Sequence, residues 1–62
     1  MKFQSRVQEN IYKADINRGL SRAEMIRARY ETNPERRANC VRSARTYHAI
    51  AMAHLNYAKA GF

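Results

Sequence analysis

Apolar residues recur every three or four positions along most of this chain, the spacing that places them on one face of an α-helix. In the second half, Asn33 followed by Pro34 is typical of a helix cap and first turn, and Gly61 is typical of a helix end. The pattern therefore predicts a helix over residues 34–60.

The first half contains one apolar stripe along a helix predicted at about residues 4–31. Its members are Tyr12, Ile16, Ala23, Ile26 and Tyr30, with Leu20 at the edge. Gly19 lies within this stripe, and Ser21 with Glu24 matches the capping pattern of a helix start, so two shorter helices are an alternative. Because the stripe continues past Gly19, we favour a single helix that is weakened or kinked there.

Two helices joined by a turn at residues 32–34 predict an all-α fold, an antiparallel helical hairpin. Small residues repeat every seven positions in the second helix, and this period lets two helix backbones approach closely. These residues are Ala44, Ala51 and Ala58. We expect the stripe of the first helix to occupy the groove above them, with Ala23 opposite Ala44 and Tyr12 near His54.

A single chain of 62 residues buries little apolar surface, and Cys40 has no second cysteine with which to form an intramolecular disulfide. Self-association is the remaining means of stabilisation, and apolar residues outside the hairpin contact supply a face for it. This dimer or partner face consists of Phe3, Val7, Ile11, Val41, His48, Leu55 and Phe62. Two hairpins joined through it would form a four-helix homodimer, and the alternative is that the face binds another protein.

Twelve Lys and Arg against five Asp and Glu give the chain a formal net charge of +7. Arginine binds phosphate and carboxylate groups through two parallel hydrogen bonds, so an arginine-rich surface favours anionic partners. The candidate contacts are Arg18, Arg22, Arg27, Arg29, Arg36, Arg37, Arg42 and Arg45. The same residues could bind an acidic protein or follow a nucleic-acid backbone.

The segment from Gly19 to Arg27, within residues 14–30, resembles the turn and recognition helix of helix-turn-helix DNA-binding domains. The resemblance rests on a glycine, an apolar residue and a serine cap followed by an arginine-rich helix. The DNA contacts that it implies are Ser21, Arg22 and Arg27. Arg18 and Asp15 depart from the pattern, because such motifs have a buried apolar residue and a small residue at those places.

The sequence contains no residue pattern typical of a catalytic, cofactor-binding or metal-binding site. His48 and His54 are six positions apart, whereas two histidines that bind one metal from a helix are three or four apart. Cys40 lies on the predicted core line without a nearby base, where a thiol acts as a small apolar residue. We therefore predict a protein that is not an enzyme and uses no cofactor.

The least polar stretch, residues 46–62, is interrupted by histidine, asparagine and lysine, so no membrane partner is expected. The N-terminal Met-Lys-Phe-Gln-Ser-Arg is not followed by the apolar run of a secretory signal, so the chain is expected in the cytoplasm, with Cys40 reduced. A short, arginine- and alanine-rich, two-helix chain is similar to the small accessory and early-region proteins of temperate bacteriophages, which implies a regulator that acts by binding. Two functions remain, a regulatory homodimer that binds a protein partner and a small basic nucleic-acid-binding regulator.

Overall fold

The computed structural model describes residues 5–61 and consists of two helices, α1 (Arg6–Tyr30) and α2 (Pro34–Lys59). The two helices pack against each other along their length, and the molecule measures 43 × 21 × 11 Å. The prediction of an all-α, antiparallel helical hairpin is therefore confirmed.

The hydrogen bonds at the helix ends explain where each helix begins. The Ser5 hydroxyl accepts from the Gln8 amide at 3.2 Å and caps α1. The Asn33 side-chain oxygen accepts from the amides of Glu35 at 2.9 Å and Arg36 at 3.2 Å, which caps α2. The predicted cap and first-turn proline of α2 are thus confirmed.

The helix ends are satisfied by backbone and side-chain donors. The Arg37 guanidinium donates from Nε at 3.1 Å and from Nη2 at 2.8 Å to the carbonyl of Glu31, the C-cap residue of α1. Gly61 follows the end of α2 with a φ of 87°, a left-handed conformation that glycine adopts without steric cost. The predicted helix stop at Gly61 is therefore confirmed.

The first helix continues through Gly19 without interruption. A Cβ atom added at Gly19 would meet no atom within 4 Å, so this residue is exposed and does not serve a close contact inside the hairpin. The alternative of two short helices is therefore wrong, because the helical pattern on both sides of Gly19 outweighs the cost of one glycine.

The predicted line of small residues on α2 lies at the contact between the helices. Ala51 is 0% exposed, Ala44 is 3% exposed and Cys40 is 8% exposed. Ala58, about two helical turns after Ala51, is half-buried. The close-packed role assigned to this line is confirmed.

The face that α1 presents to α2 differs from the predicted one. The buried residues of α1 are Ala14 and Ala28, and half-buried Val7 and Ser21 lie on the same line at seven-residue spacing. The predicted stripe lies on the opposite side of α1 and is exposed. The exposed fractions are 42% for Tyr12, 44% for Ile16, 48% for Ile26 and 78% for Tyr30.

The interhelical hydrogen bonds show how far the predicted pairing of residues across the two helices differs from the observed pairing. Ser21, rather than Ala23, lies opposite Ala44, because its hydroxyl donates to the Ala44 carbonyl at 2.7 Å. Asn10, rather than Tyr12, lies opposite His54. Each predicted pair is two residues out of place, and two residues along a helix turn the side chain by about 200°. The Ser21 hydroxyl can reach the Ala44 carbonyl only because the two helix backbones are close together at this point. This short separation leaves room for small residues on both helices but not for tyrosine or isoleucine.

Within residues 5–61, neither helix has a stretch that is both long enough and apolar enough to cross a membrane.

Candidate interaction surfaces

A groove runs along one flank of the hairpin, between the C-terminal half of α1 and the N-terminal half of α2. Its floor is formed by Met25 and Val41, which are shared by adjoining depressions on this flank. Met25 is 50% exposed and Val41 is half-buried, so both remain accessible from solvent. We call this feature the arginine-rimmed groove, and its rim is formed by Arg22, Arg29, Arg37 and Arg45.

The arginine-rimmed groove concentrates positive charge around an apolar floor. No aspartate or glutamate is found among the described residues that line it. The Arg37 guanidinium is held in place by its two hydrogen bonds to the Glu31 carbonyl, and Arg42 extends the basic surface beyond Arg45. Such a surface suits a ligand that combines apolar side chains with carboxylates or phosphates.

The other predicted arginine contacts lie outside this groove. Arg27 and Arg36 line the opposite flank together with Glu24 and Glu31. Arg27 Nη1 is 3.3 Å from a carboxylate oxygen of Glu24, so its charge is locally compensated. Arg18 lies beside Arg22 in a depression that also contains a carboxylate. Five of the eight predicted arginines thus line the groove and its extension, two line the opposite flank, and Arg18 shares a depression with Arg22 and Asp15.

The predicted dimer or partner face is partly assembled on the same flank. Val41 and His48 line one depression together with Met25. Leu55 follows His48 at seven-residue spacing and is half-buried. Val7, predicted as part of this face, instead lies on the line of α1 that faces α2. Ile11 is 44% exposed. Phe3 and Phe62, the remaining members of the predicted face, lie outside the described residues.

A second apolar surface lies on the outward side of α1, turned away from α2. It is formed by the stripe that the sequence predicted as the hairpin contact, together with Gly19. We call it the outer stripe, and its residues are Tyr12, Ile16, Gly19, Ala23, Ile26 and Tyr30. All six are exposed, so the hairpin leaves the most regular apolar pattern of the chain on its surface.

The histidines and the cysteine are part of the hairpin contact or its flank. His54 Nδ1 and Asn10 Oδ1 are 2.8 Å apart, and because a carbonyl oxygen only accepts, the ring donates from Nδ1. Cys40 is a buried free thiol. Among residues 5–61 there is no group of three or more His, Cys, Asp or Glu side chains that could hold a metal ion.

The resemblance to a helix-turn-helix motif is not reflected in the backbone. That motif requires a turn between two helices near Gly19, whereas α1 is continuous from Arg6 to Tyr30. Ser21, which would cap the second helix of the motif, instead donates to the Ala44 carbonyl. Residues 14–30 therefore form a single packed helix, and any nucleic-acid contact would come from its arginines alone.

Sequence reasoning missed Asn10 and Ser21 as interhelical residues. The sequence contains a pattern that could have found the last of these. Val7, Ala14, Ser21 and Ala28 repeat every seven residues on α1, as the alanines do on α2. Two matched lines of mostly small residues indicate close helix packing more directly than one line of large residues does.

Comparison of the chain with family models, with characterised proteins and with solved structures finds no match.

Proposed function

We propose that this protein acts by binding, as a homodimer of helical hairpins that holds a protein partner in a regulatory role. The main support for this proposal is the contrast in size between the buried and the exposed apolar residues. The buried residues are Ala14, Ala28, Cys40, Ala44 and Ala51, all small. The exposed large apolar residues include five isoleucines or leucines, two methionines and three tyrosines within residues 5–61.

This contrast matters because apolar burial stabilises a fold in proportion to the area removed from water. Alanine side chains contribute little area, while the ordering of two long helices costs conformational entropy at every residue. A second polypeptide that covers the exposed isoleucines, tyrosines and methionines would supply the missing burial. The likeness in style to small phage accessory proteins fits a role of this kind.

The arginine-rimmed groove suggests the chemistry of the partner. Its floor of Met25 and Val41 fits apolar side chains that are spaced along one face of a helix. Its rim of four arginines fits carboxylates on either side of that face. We therefore propose an acidic amphipathic helix of another protein as the ligand of this groove.

A peptide experiment tests this assignment. The probe is a fluorescent helical peptide with leucines at positions i, i+3, i+4 and i+7 and glutamates elsewhere, titrated at physiological salt. We expect binding to the native protein and a loss of about tenfold or more in Val41→Glu, because this change places a carboxylate on the apolar floor. Ala53→Glu, an exposed position on α2 with no arginine three or four residues away, introduces the same charge outside the groove and should leave binding nearly unchanged.

The outcomes separate specific binding from charge attraction. Equal losses in Val41→Glu and Ala53→Glu would show that the peptide responds only to net charge. A lysine-for-glutamate version of the peptide should not bind, and if it binds as well as the acidic version, the proposed role of the arginines is wrong.

Nucleic-acid binding is the second candidate, and the clustering of arginines on one flank favours it. Arg22, Arg29 and Arg37 line one depression, and Arg42 and Arg45 line the next. Arginines arranged in this way can follow a phosphate backbone with little sequence preference.

Titration of random-sequence duplex DNA by fluorescence anisotropy tests the second candidate. A nucleic-acid function predicts binding that persists at physiological salt with a steep salt dependence. It also predicts that Arg29→Ala weakens binding more than Arg27→Ala does, since Arg27 lies on the opposite flank beside Glu24. Binding that disappears at physiological salt, or that falls equally in both variants, would exclude this function.

A further inference from the structure

The outer stripe of α1 has the spacing of a helix-pairing surface. Its residues follow one another at intervals of four, three, four, three and four positions. This is the alternation that forms a continuous seam between two helices. The seam runs for about 27 Å at 1.5 Å per residue from Tyr12 to Tyr30, and α2 lies on the other side of α1.

The order of residues along the outer stripe is the same from either end. It begins and ends with tyrosine, has isoleucine at the second and fifth places, and has small residues at the centre. From these observations we infer that the outer stripe binds a second copy of itself, with the two α1 helices antiparallel. A twofold axis would then place Tyr12 opposite Tyr30 of the second copy, and Ile16 opposite Ile26 of the second copy.

The small residues lie where this arrangement needs them. In the antiparallel alignment Gly19 meets Ala23 of the second copy, next to the twofold axis. A Cβ atom at Gly19 would meet nothing within 4 Å in the single hairpin, so nothing inside the hairpin requires a glycine at this helical position. A close crossing of two helices accounts for it, because small residues allow backbones to approach while the isoleucines interlock on both sides.

The residues beside the outer stripe fit the same alignment. Leu20, 42% exposed, would meet its own symmetry mate, and Asp15 would come within reach of Arg29 of the second copy. Lys13 and Arg27 would face each other across the axis, but each already has a carboxylate partner, Glu9 at 3.1 Å and Glu24 at 3.3 Å respectively. These carboxylates reduce the repulsion between Lys13 and Arg27. The remaining unfavourable contact is between Arg22 and its symmetry mate.

A dimer interface of standard size would cover a modest share of the hairpin surface. The described surface of one hairpin is 5098 Å², so the roughly 800 Å² per partner of a standard interface is about one sixth of it. Two isoleucines and Leu20, with a tyrosine at each end of the stripe, supply the large apolar side chains of such an interface. The inference rests on the proposed homodimer and assigns its interface. This interface borders the arginine-rimmed groove, because Arg22, Ile26 and Arg29 also line the groove.

Charge-pair variants test the alignment by sedimentation equilibrium. We expect Ile16→Glu and Ile26→Lys each to weaken the homodimer by about tenfold or more, because each buries an unpaired charge. Mixing the two variants should restore a dimer of intermediate stability, since the substituted positions face each other only in the antiparallel pairing. Ile50→Glu, an exposed isoleucine on α2, is the matched control and should dimerise like the native protein.

Each outcome decides a different point. A native protein that remains a monomer at high micromolar concentration would overturn both the homodimer and this interface. A native dimer that persists in Ile16→Glu and Ile26→Lys but is lost in Val41→Glu would leave the homodimer intact and overturn the outer stripe as its interface. Loss in both variants without recovery on mixing would overturn the antiparallel alignment.

Gly19→Gln supplies a second measurement that does not depend on adding charge. Glutamine favours helix more than glycine does and has open space in the single hairpin, so it should stabilise α1. In the antiparallel dimer it separates the crossing helices, and we expect self-association to weaken while helix content is kept. Dimerisation that is unchanged or tighter in Gly19→Gln, compared with Ala49→Gln, would overturn the close crossing at this position.

Discussion

Ser21 and Asn10 show how polar residues serve the contact between the two helices. The Ser21 hydroxyl donates to the Ala44 carbonyl at 2.7 Å, and Asn10 pairs with His54 at 2.8 Å. Both contacts are partly buried, and each satisfies polar atoms that would otherwise lose water without compensation. At the contact between the helices, small size and hydrogen-bonding capacity matter more than hydrophobicity.

Ser21→Ala should lower the stability of the hairpin relative to Ser43→Ala. Both substitutions gain the same small amount of helix propensity, but only the first removes an interhelical hydrogen bond, since Ser43 is half-buried and donates none to α1. We expect a difference of about 1 kcal/mol in the free energy of unfolding, measured with urea at one protein concentration. Equal stabilities would mean that the Ser21 bond contributes nothing net.

Ala51→Leu should destabilise the hairpin by about 1–3 kcal/mol, because Ala51 is fully buried at the close contact and has no room for three further carbons. Ala49→Leu adds the same atoms at an exposed position on α2. Thermal unfolding of both variants checks the prediction. A melting temperature for Ala51→Leu as high as that for Ala49→Leu would contradict the packing described for α2.

The helix ends follow from local sequence chemistry. Asn33 accepts hydrogen bonds from two amides of the first turn of α2, where the missing amide hydrogen of Pro34 is not needed. Gly61 adopts the positive φ that ends α2. These features depend on neighbouring residues alone, so they were predictable before any tertiary contact was known.

Asn33→Ala should lower the free energy of unfolding by about 1 kcal/mol, because it removes the acceptor for the amides of Glu35 and Arg36. Asn33→Asp keeps that acceptor and adds a negative charge at the positive end of the helix dipole, so it should retain stability. Circular dichroism during urea unfolding measures both. Equal losses in the two variants would show that the amide group, rather than the cap acceptor, is what matters.

Which face of α1 meets α2 was not predictable from periodicity alone. Two seven-residue patterns coexist on this helix, one of Val7, Ala14, Ser21 and Ala28 and one of larger apolar residues. A hydrophobicity pattern selects the larger residues, whereas a tight hairpin selects the smaller ones. The predicted register along the helices was only two residues in error, yet this exchanged the inner and outer faces.

The whole molecule carries much positive charge on a narrow body. Its formal net charge is +7, and its shortest dimension is 11 Å. In the proposed homodimer the two hairpins would repel each other, because both carry a net positive charge. This repulsion acts over longer distances than the attraction within single ion pairs. Salt should therefore affect self-association and anion binding in opposite directions.

We expect the proposed homodimer to become tighter as ionic strength rises from about 0.05 to 0.5 M, because screening removes repulsion between like-charged copies while apolar contacts persist. Binding to DNA should weaken over the same range. Sedimentation equilibrium and fluorescence anisotropy measure the two processes. A dimer that dissociates as salt is added would show that ion pairs between the copies outweigh the repulsion.

Local sequence was enough to predict the fold class, the two helices, the turn between them and the close-packed line of Ala44 and Ala51. Each depends on local propensity, capping or a repeat within one helix, which are properties of nearby residues. The packing of the two helices sets two features that local sequence does not: Ala14 and Ala28 face α2, and Arg22, Arg29 and Arg37 come together beside Met25 and Val41. The rotation of one helix against another depends on how all their side chains fit together, which no single helix contains.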